Sequence, residues 1–111
     1  MRTDRYLKLL KEIRTHLATF GNTRWPPRLD DWIREFDVSQ HDSAQRVAHL
    51  QRTRRALGGM GSIADVVIRP DATRSIDNDD RTIKKANETL LRLVAQLDKE
   101  VDNLLRSERV N

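Results

Sequence analysis

Apolar residues along this chain recur at helical rather than strand spacing, in four separate stretches. Over 4–20, Tyr6, Leu10, Ile13, Leu17 and Phe20 follow one another at alternating steps of four and three, the period of one helical face. Thr3 is placed to cap that helix with its hydroxyl, and Gly21-Asn22 to end it, since both tolerate the left-handed conformation of a C-terminal cap. Trp25-Pro26-Pro27 reads as an extended connector, because each proline fixes its own φ and disfavours the α region for the residue before it. The spacing then predicts a short helix over 28–37, with Leu29, Trp32, Ile33 and Phe36 on one face and Asp30, Asp31, Arg34, Glu35 and Asp37 on the other.

A third helix is expected from Ser39 or Asp42 to Leu57, burying Ala44, Val47, Leu50 and Leu57, with Arg46 and Gln51 outside. Gly58 follows as its terminator. The longest predicted helix runs over 80–106, introduced by Asp77-Asn78-Asp79-Asp80. Its seam is Ile83, Asn87, Leu90, Val94, Leu97, Val101 and Leu104, interrupted once by the asparagine. Glu88 with Arg92 and Asp102 with Arg106 are ordered as favourable i,i+4 pairs. The implied fold is an all-α, compact bundle of four helices, three long and one short, in a single domain over 1–111. In it the first and last helices pack along their seams, the third lies beside them and the second closes an end.

The 80–106 stretch would form a rod about 40 Å long, at roughly 1.5 Å per residue. A compact domain of this length has a diameter of roughly 34 Å. One end is therefore expected to project, leaving Val101, Leu104 and Leu105 for a second copy to cover as a homodimer, unless the first helix or an elongated bundle covers them.

Composition narrows the function classes. A chain of 111 residues that is 34% charged and holds five aromatics supports one modest aliphatic core. There is no apolar run near the roughly 18 residues a membrane helix needs, and no signal-peptide pattern at the start. With no cysteine there is no disulfide or thiol chemistry, which fits a cytoplasmic setting. The net charge of +4 is small and uneven: 41–61 carries four bases and one acid, 62–80 two bases and five acids. Internal pairing accounts for that pattern as readily as nucleic-acid binding does.

Candidate chemistry is sparse. His16, His41 and His49 lack a second ligand at i+4, so no metal site is expected; His16 and His49 read as partly exposed helix residues, His41 as a turn residue. Adjacent Asp30-Asp31 and Asp79-Asp80 point in different directions on a helix and cannot share one proton. No nucleophile motif appears, Ser62 after Gly61 being the only trace of one. The chain therefore reads as non-enzymatic, with no cofactor. Arg52, Arg54 and Arg55, extended by Arg46, form the densest basic cluster, and they carry the alternative of a nucleic-acid-associated regulator. Residues 28–57 superficially suggest a helix-turn-helix, with Ser39-Gln40-His41-Asp42-Ser43 at the base-reading end.

The most distinctive stretch is Gly58-Gly59-Met60-Gly61-Ser62, followed by Asp65 and the β-branched Val66-Val67-Ile68. Three clustered glycines suit a tight turn or a close backbone approach, and Ser62 with Asp65 fits a capping box. The residues from Val66 to Ile68 are compatible with a brief strand or a helical turn. A P-loop is not indicated, because the lysine and serine or threonine that grip phosphate are missing. This Gly-Gly-Met-Gly-Ser-x-x-Asp segment before a long C-terminal helix resembles an uncharacterised family of small bacterial helical proteins, a domain of unknown function. That resemblance implies no activity, and Ala64 stands where the family tends to carry asparagine. Gly58, Gly59, Met60, Gly61, Ser62 and Asp65 are thus the candidate loop for a protein partner or a small ligand. An immunity-like or accessory protein-interaction module is the leading expectation, and a small ligand-binding or enzymatic bundle using this loop the third.

Overall fold

A computed structural model describes residues 3–39, 41–57 and 80–110, which form four helices: α1 (Asp4–Thr19), α2 (Trp25–Ser39), α3 (Ser43–Leu57) and α4 (Asp80–Val110). No strand occurs among the described residues, in line with an all-α chain. The glycine-rich segment, the 66–68 stretch and the expected cap at 77–79 lie outside them.

Helix α1 buries Tyr6, Leu10, Ile13 and Leu17 as its spacing predicts, and Leu9 in addition. Thr3 precedes it without a side-chain cap, because its backbone (φ −106°, ψ −2°) is already turned toward the α region. The hydroxyl therefore makes no capping bond; the Thr3 carbonyl instead accepts from the Leu7 amide at 3.1 Å. At the other end the Gly21 N–H donates to Ala18 O and the Asn22 N–H to Leu17 O, closing a Schellman motif around Gly21 at φ 83°.

The connector to α2 is shorter than the prolines suggest. Asn22 Oδ1 accepts from the amides of Arg24 and Trp25, so the helix begins at Trp25 with both prolines in its first turn. Prolines lose nothing there, since first-turn amides have no intrahelical partner. Burial of the Trp25 ring, set edge-on to Trp32 at 6.0 Å, outweighs the bias that Pro26 imposes on it. With these added turns α2 does not close an end. It lies antiparallel along α1, as the pairs Tyr6–Phe36 and Arg14–Asp30 require.

In α3 the Asp42 carboxylate caps the start by accepting from the amides of Ala44 and Gln45. Its inward stripe is the expected one at Leu50 and Leu57 only. Ala44 is exposed and Val47 half-buried, whereas His49, Leu50, Thr53 and Leu57 are buried. Helix α4 extends past Arg106 to Val110 and buries every expected seam residue except the half-buried Asn87. Asp102 pairs with Arg106 at 3.0 Å, but among the described residues Glu88 and Arg92 do not pair.

Helix α1 packs against α2 and α4, α3 against α4, and α2 against α3. The bundle measures 49 × 25 × 21 Å, its length matching the roughly 46 Å expected of the 31-residue α4. Because the bundle is elongated, the end of α4 does not project. No described helix is long and apolar enough to cross a membrane.

Candidate functional site

The loop candidates Gly58, Gly59, Met60, Gly61, Ser62 and Asp65 lie outside the described residues. The self-association candidates fall in the core: Val101 is 0% exposed, Leu104 5% and Leu105 4%. The strip expected to be wet is covered by the chain's own helices, which removes the geometric reason for a dimer there.

The four arginines do not act as one stripe. Arg46 Nε donates to Glu108 Oε1 at 2.6 Å, and Ser43 Oγ donates to Glu108 Oε2 at 2.7 Å, tying the start of α3 to the last turns of α4. These two hydrogen bonds, with the Arg46 charge, hold the Glu108 carboxyl below the usual carboxylate range. Arg46 is thus largely buried and paired rather than outside. Arg52 pairs with Glu35 of α2, while Arg54 and Arg55 remain exposed in the last turn of α3. The base-reading end of a recognition helix would have to be free, yet here Asp42 is a cap and Ser43 and Arg46 are occupied.

Asp30 and Asp31 diverge as expected. Asp30 takes a forked pair of hydrogen bonds from Arg14 of α1, and Asp31 pairs with Arg34 of its own helix. His16 is half-buried, its Nε2 lying 2.8 Å from Ala86 O of α4, and His41 is an exposed turn residue. Among the described residues no group of three or more His, Asp or Glu is placed to hold a metal.

A polar constellation emerges at His49, which is 1% exposed rather than partly exposed. Its Nε2 lies 2.8 Å from Tyr6 Oη, which is in turn 2.9 Å from Thr53 Oγ1. On the other side Nδ1 lies 3.3 Å from Glu35 Oε1, the carboxylate that Arg52 also meets. A carboxylate at that distance favours a proton on Nδ1, leaving Nε2 to accept from the tyrosine hydroxyl. Burial lowers the His49 pKa to about 4, so the ring is neutral at pH 7. Glu35 does not reverse this, because Arg52 already offsets its charge. Burial likewise pushes the Tyr6 hydroxyl well above its ordinary range, against a smaller opposing effect of the Thr53 hydrogen bond. Sequence spacing misses the cluster because histidine and threonine read as polar; only their positions in step with Leu50 and Leu57 mark them as inward.

Tyr6, His49 and Thr53 are sealed from solvent, packed with Phe36, whose ring centroid is 4.8 Å from that of Tyr6 and 5.2 Å from that of His49. No substrate reaches them there, so the cluster acts as a polar register for three helices. The accessible feature lies elsewhere. Between α1 and α4 runs an open groove of ≈ 780 Å³, floored by Leu7 and Leu93 and flanked by Lys8, Lys11, Glu12 and Arg92. A second hollow continues it past His16 and Phe20 toward Arg81 and Lys85.

No family model matches the chain, and neither the curated proteins nor the solved structures contain a match to it.

Proposed function

We propose that this chain is a non-enzymatic protein-interaction module whose partner sits in the groove between α1 and α4. The observation that carries the reading is the contrast between two places. Tyr6, His49 and Thr53 are sealed in the core, while in the open groove, with its apolar floor and mixed charges, the hydrogen-bonding capacity of His16 Nε2 is taken by Ala86 O and the Thr19 hydroxyl is donated to Thr15 O. Such a surface suits recognition. In the cytoplasm of a bacterium it would serve an immunity-like or accessory protein that occludes its partner. The nucleic-acid alternative is weakened by the pairing of Arg46 with Glu108 and of Arg52 with Glu35.

The test is reconstitution. A partner captured from the host is purified and rebound to the wild-type chain, to a Thr15→Trp, Thr89→Trp variant that fills the groove, and to an Arg54→Gln, Arg55→Gln variant. Loss of binding with the first variant alone supports the reading. Loss with the second alone, or retention of duplex DNA at physiological salt, overturns it.

A further inference from the structure

Two observations about the groove go beyond its existence. One concerns its charge. Lys8 is matched by Glu12 at 3.9 Å, and Asp4 lies in the first turn of α1, where the helix's own amides offset it. Lys11 and Arg92, facing each other across the groove from α1 and α4, have no acidic partner among the described residues. Nor do Arg81 and Lys85 at the continuing hollow. On α1 the lining acids Asp4 and Glu12 equal the bases Lys8 and Lys11 in number, so the basic excess that borders the groove comes from α4, from Arg92 and, at the continuing hollow, Arg81 and Lys85.

The other concerns its shape and floor. Contacts Arg5–Glu100 and His16–Ala86 make α1 and α4 antiparallel, so the groove follows α1 for its 16 residues, about 24 Å. Leu7 and Leu93 line it, with Phe20 at the far end. A straight channel between two parallel axes, apolar below and charged at the rims, is the seat a third helix takes.

We propose that the groove binds an acidic amphipathic helix of about four turns, its apolar face on Leu7 and Leu93 and its carboxylates against Lys11, Arg92 and Lys85. This rests on the interaction-module reading and names the partner's chemistry. Nucleic acid fits less well, since a phosphate backbone would leave the leucine floor wet. A second copy of this chain fits less well too, because its long seam is already buried.

The probes are three fluorescein-labelled 16-residue peptides: a glutamate-rich helix with leucine at i, i+3, i+4 and i+7, its lysine-for-glutamate counterpart, and a scramble of the first. Fluorescence anisotropy should show the acidic helix binding at least tenfold tighter than either control. Lys11→Glu with Arg92→Glu should weaken that binding at least tenfold, and Arg54→Glu with Arg55→Glu should leave it unchanged. Circular dichroism checks that each variant is folded, and amide shifts at Thr15 and Thr89 locate the peptide. Equal binding of acidic and basic helices overturns the proposal, as does indifference to Lys11→Glu with Arg92→Glu. So do a DNA duplex that displaces the peptide and a dimer that dissociates in this double variant. If a reconstituted host partner is lost on filling the groove but kept by Lys11→Glu with Arg92→Glu, the module reading survives and the acidic helix does not.

Discussion

Tyr6 and His49 stand 43 residues apart in the chain, and their Oη and Nε2 atoms are 2.8 Å apart in the core. The tyrosine hydroxyl is shared with Thr53, so one atom serves two buried partners. Tyr6→Phe should cost about 1–3 kcal/mol, because it strands polar groups that water cannot reach. Adding His49→Leu to it should cost less than the sum of the two single changes. Urea unfolding of the four chains checks this, and a Tyr6→Phe variant as stable as wild type would remove the cluster from the core's energetics.

The same histidine makes stability depend on pH. Unfolded, it takes a proton near its ordinary 6.5; folded, only near 4. Its contribution is therefore complete above pH 6.5 and lost as pH falls toward 4, by on the order of 3 kcal/mol, with nothing further lost below. His49→Gln should flatten that window. Equal slopes for wild type and variant between pH 7 and 4.5 would show that the buried ring does not set them.

Leu90 and Leu97 are buried in the α4 seam, while Lys84 and Lys99 on the same helix are exposed. Leu90→Asp or Leu97→Asp should cost more than about 4 kcal/mol, by placing an unpaired charge in the core. Lys84→Ala and Lys99→Ala should stay within about 0.5 kcal/mol. Thermal melting separates the two classes.

Periodicity made α1 and α4 readable, since a heptad of leucines and valines has one inward face and no competing pattern. In α3 it found Leu50 and Leu57 but missed His49 and Thr53 on the same face, which count as polar until a distant tyrosine satisfies them. It failed at Trp25, because the helix-breaking force of Pro26 and Pro27 vanishes in a first turn and Asn22 supplies the cap. The groove was illegible altogether. Leu7 and Leu93, Lys11 and Arg92 meet only because α1 and α4 run side by side, which no local pattern states.

Leu104 and Leu105 give a test of elongation against projection. Both are buried by the chain itself, so Leu104→Lys with Leu105→Lys should unfold the end of the bundle rather than merely separate two copies. Sedimentation equilibrium with circular dichroism distinguishes these outcomes. A folded variant of 12.9 kDa derived from a wild-type dimer would restore the projecting strip.

Glu108 fastens the last described turns of α4 to the start of α3, with a side chain only 6% exposed. It accepts from Arg46 and Ser43 together, so Glu108→Gln removes the carboxylate charge from both bonds, beside an Arg46 that is itself mostly covered. The expected cost is about 1–2 kcal/mol. It should be felt first as faster amide exchange in the final turns of α4, which Glu108 fastens to the start of α3. The Glu108 pKa is lowered on folding, so its contribution is present above the ordinary carboxylate value and is lost as pH falls through the lower folded one. The onset of that loss overlaps the acid end of the His49 window, so variants rather than separate steps tell the two contributions apart. Glu108→Gln should reduce the loss on the acid side and spare the His49 contribution at higher pH. If exchange at 104–108 is unchanged in the variant, the α3–α4 fastening contributes nothing, and Arg46 is returned to the solvent-facing role that a nucleic-acid reading needs.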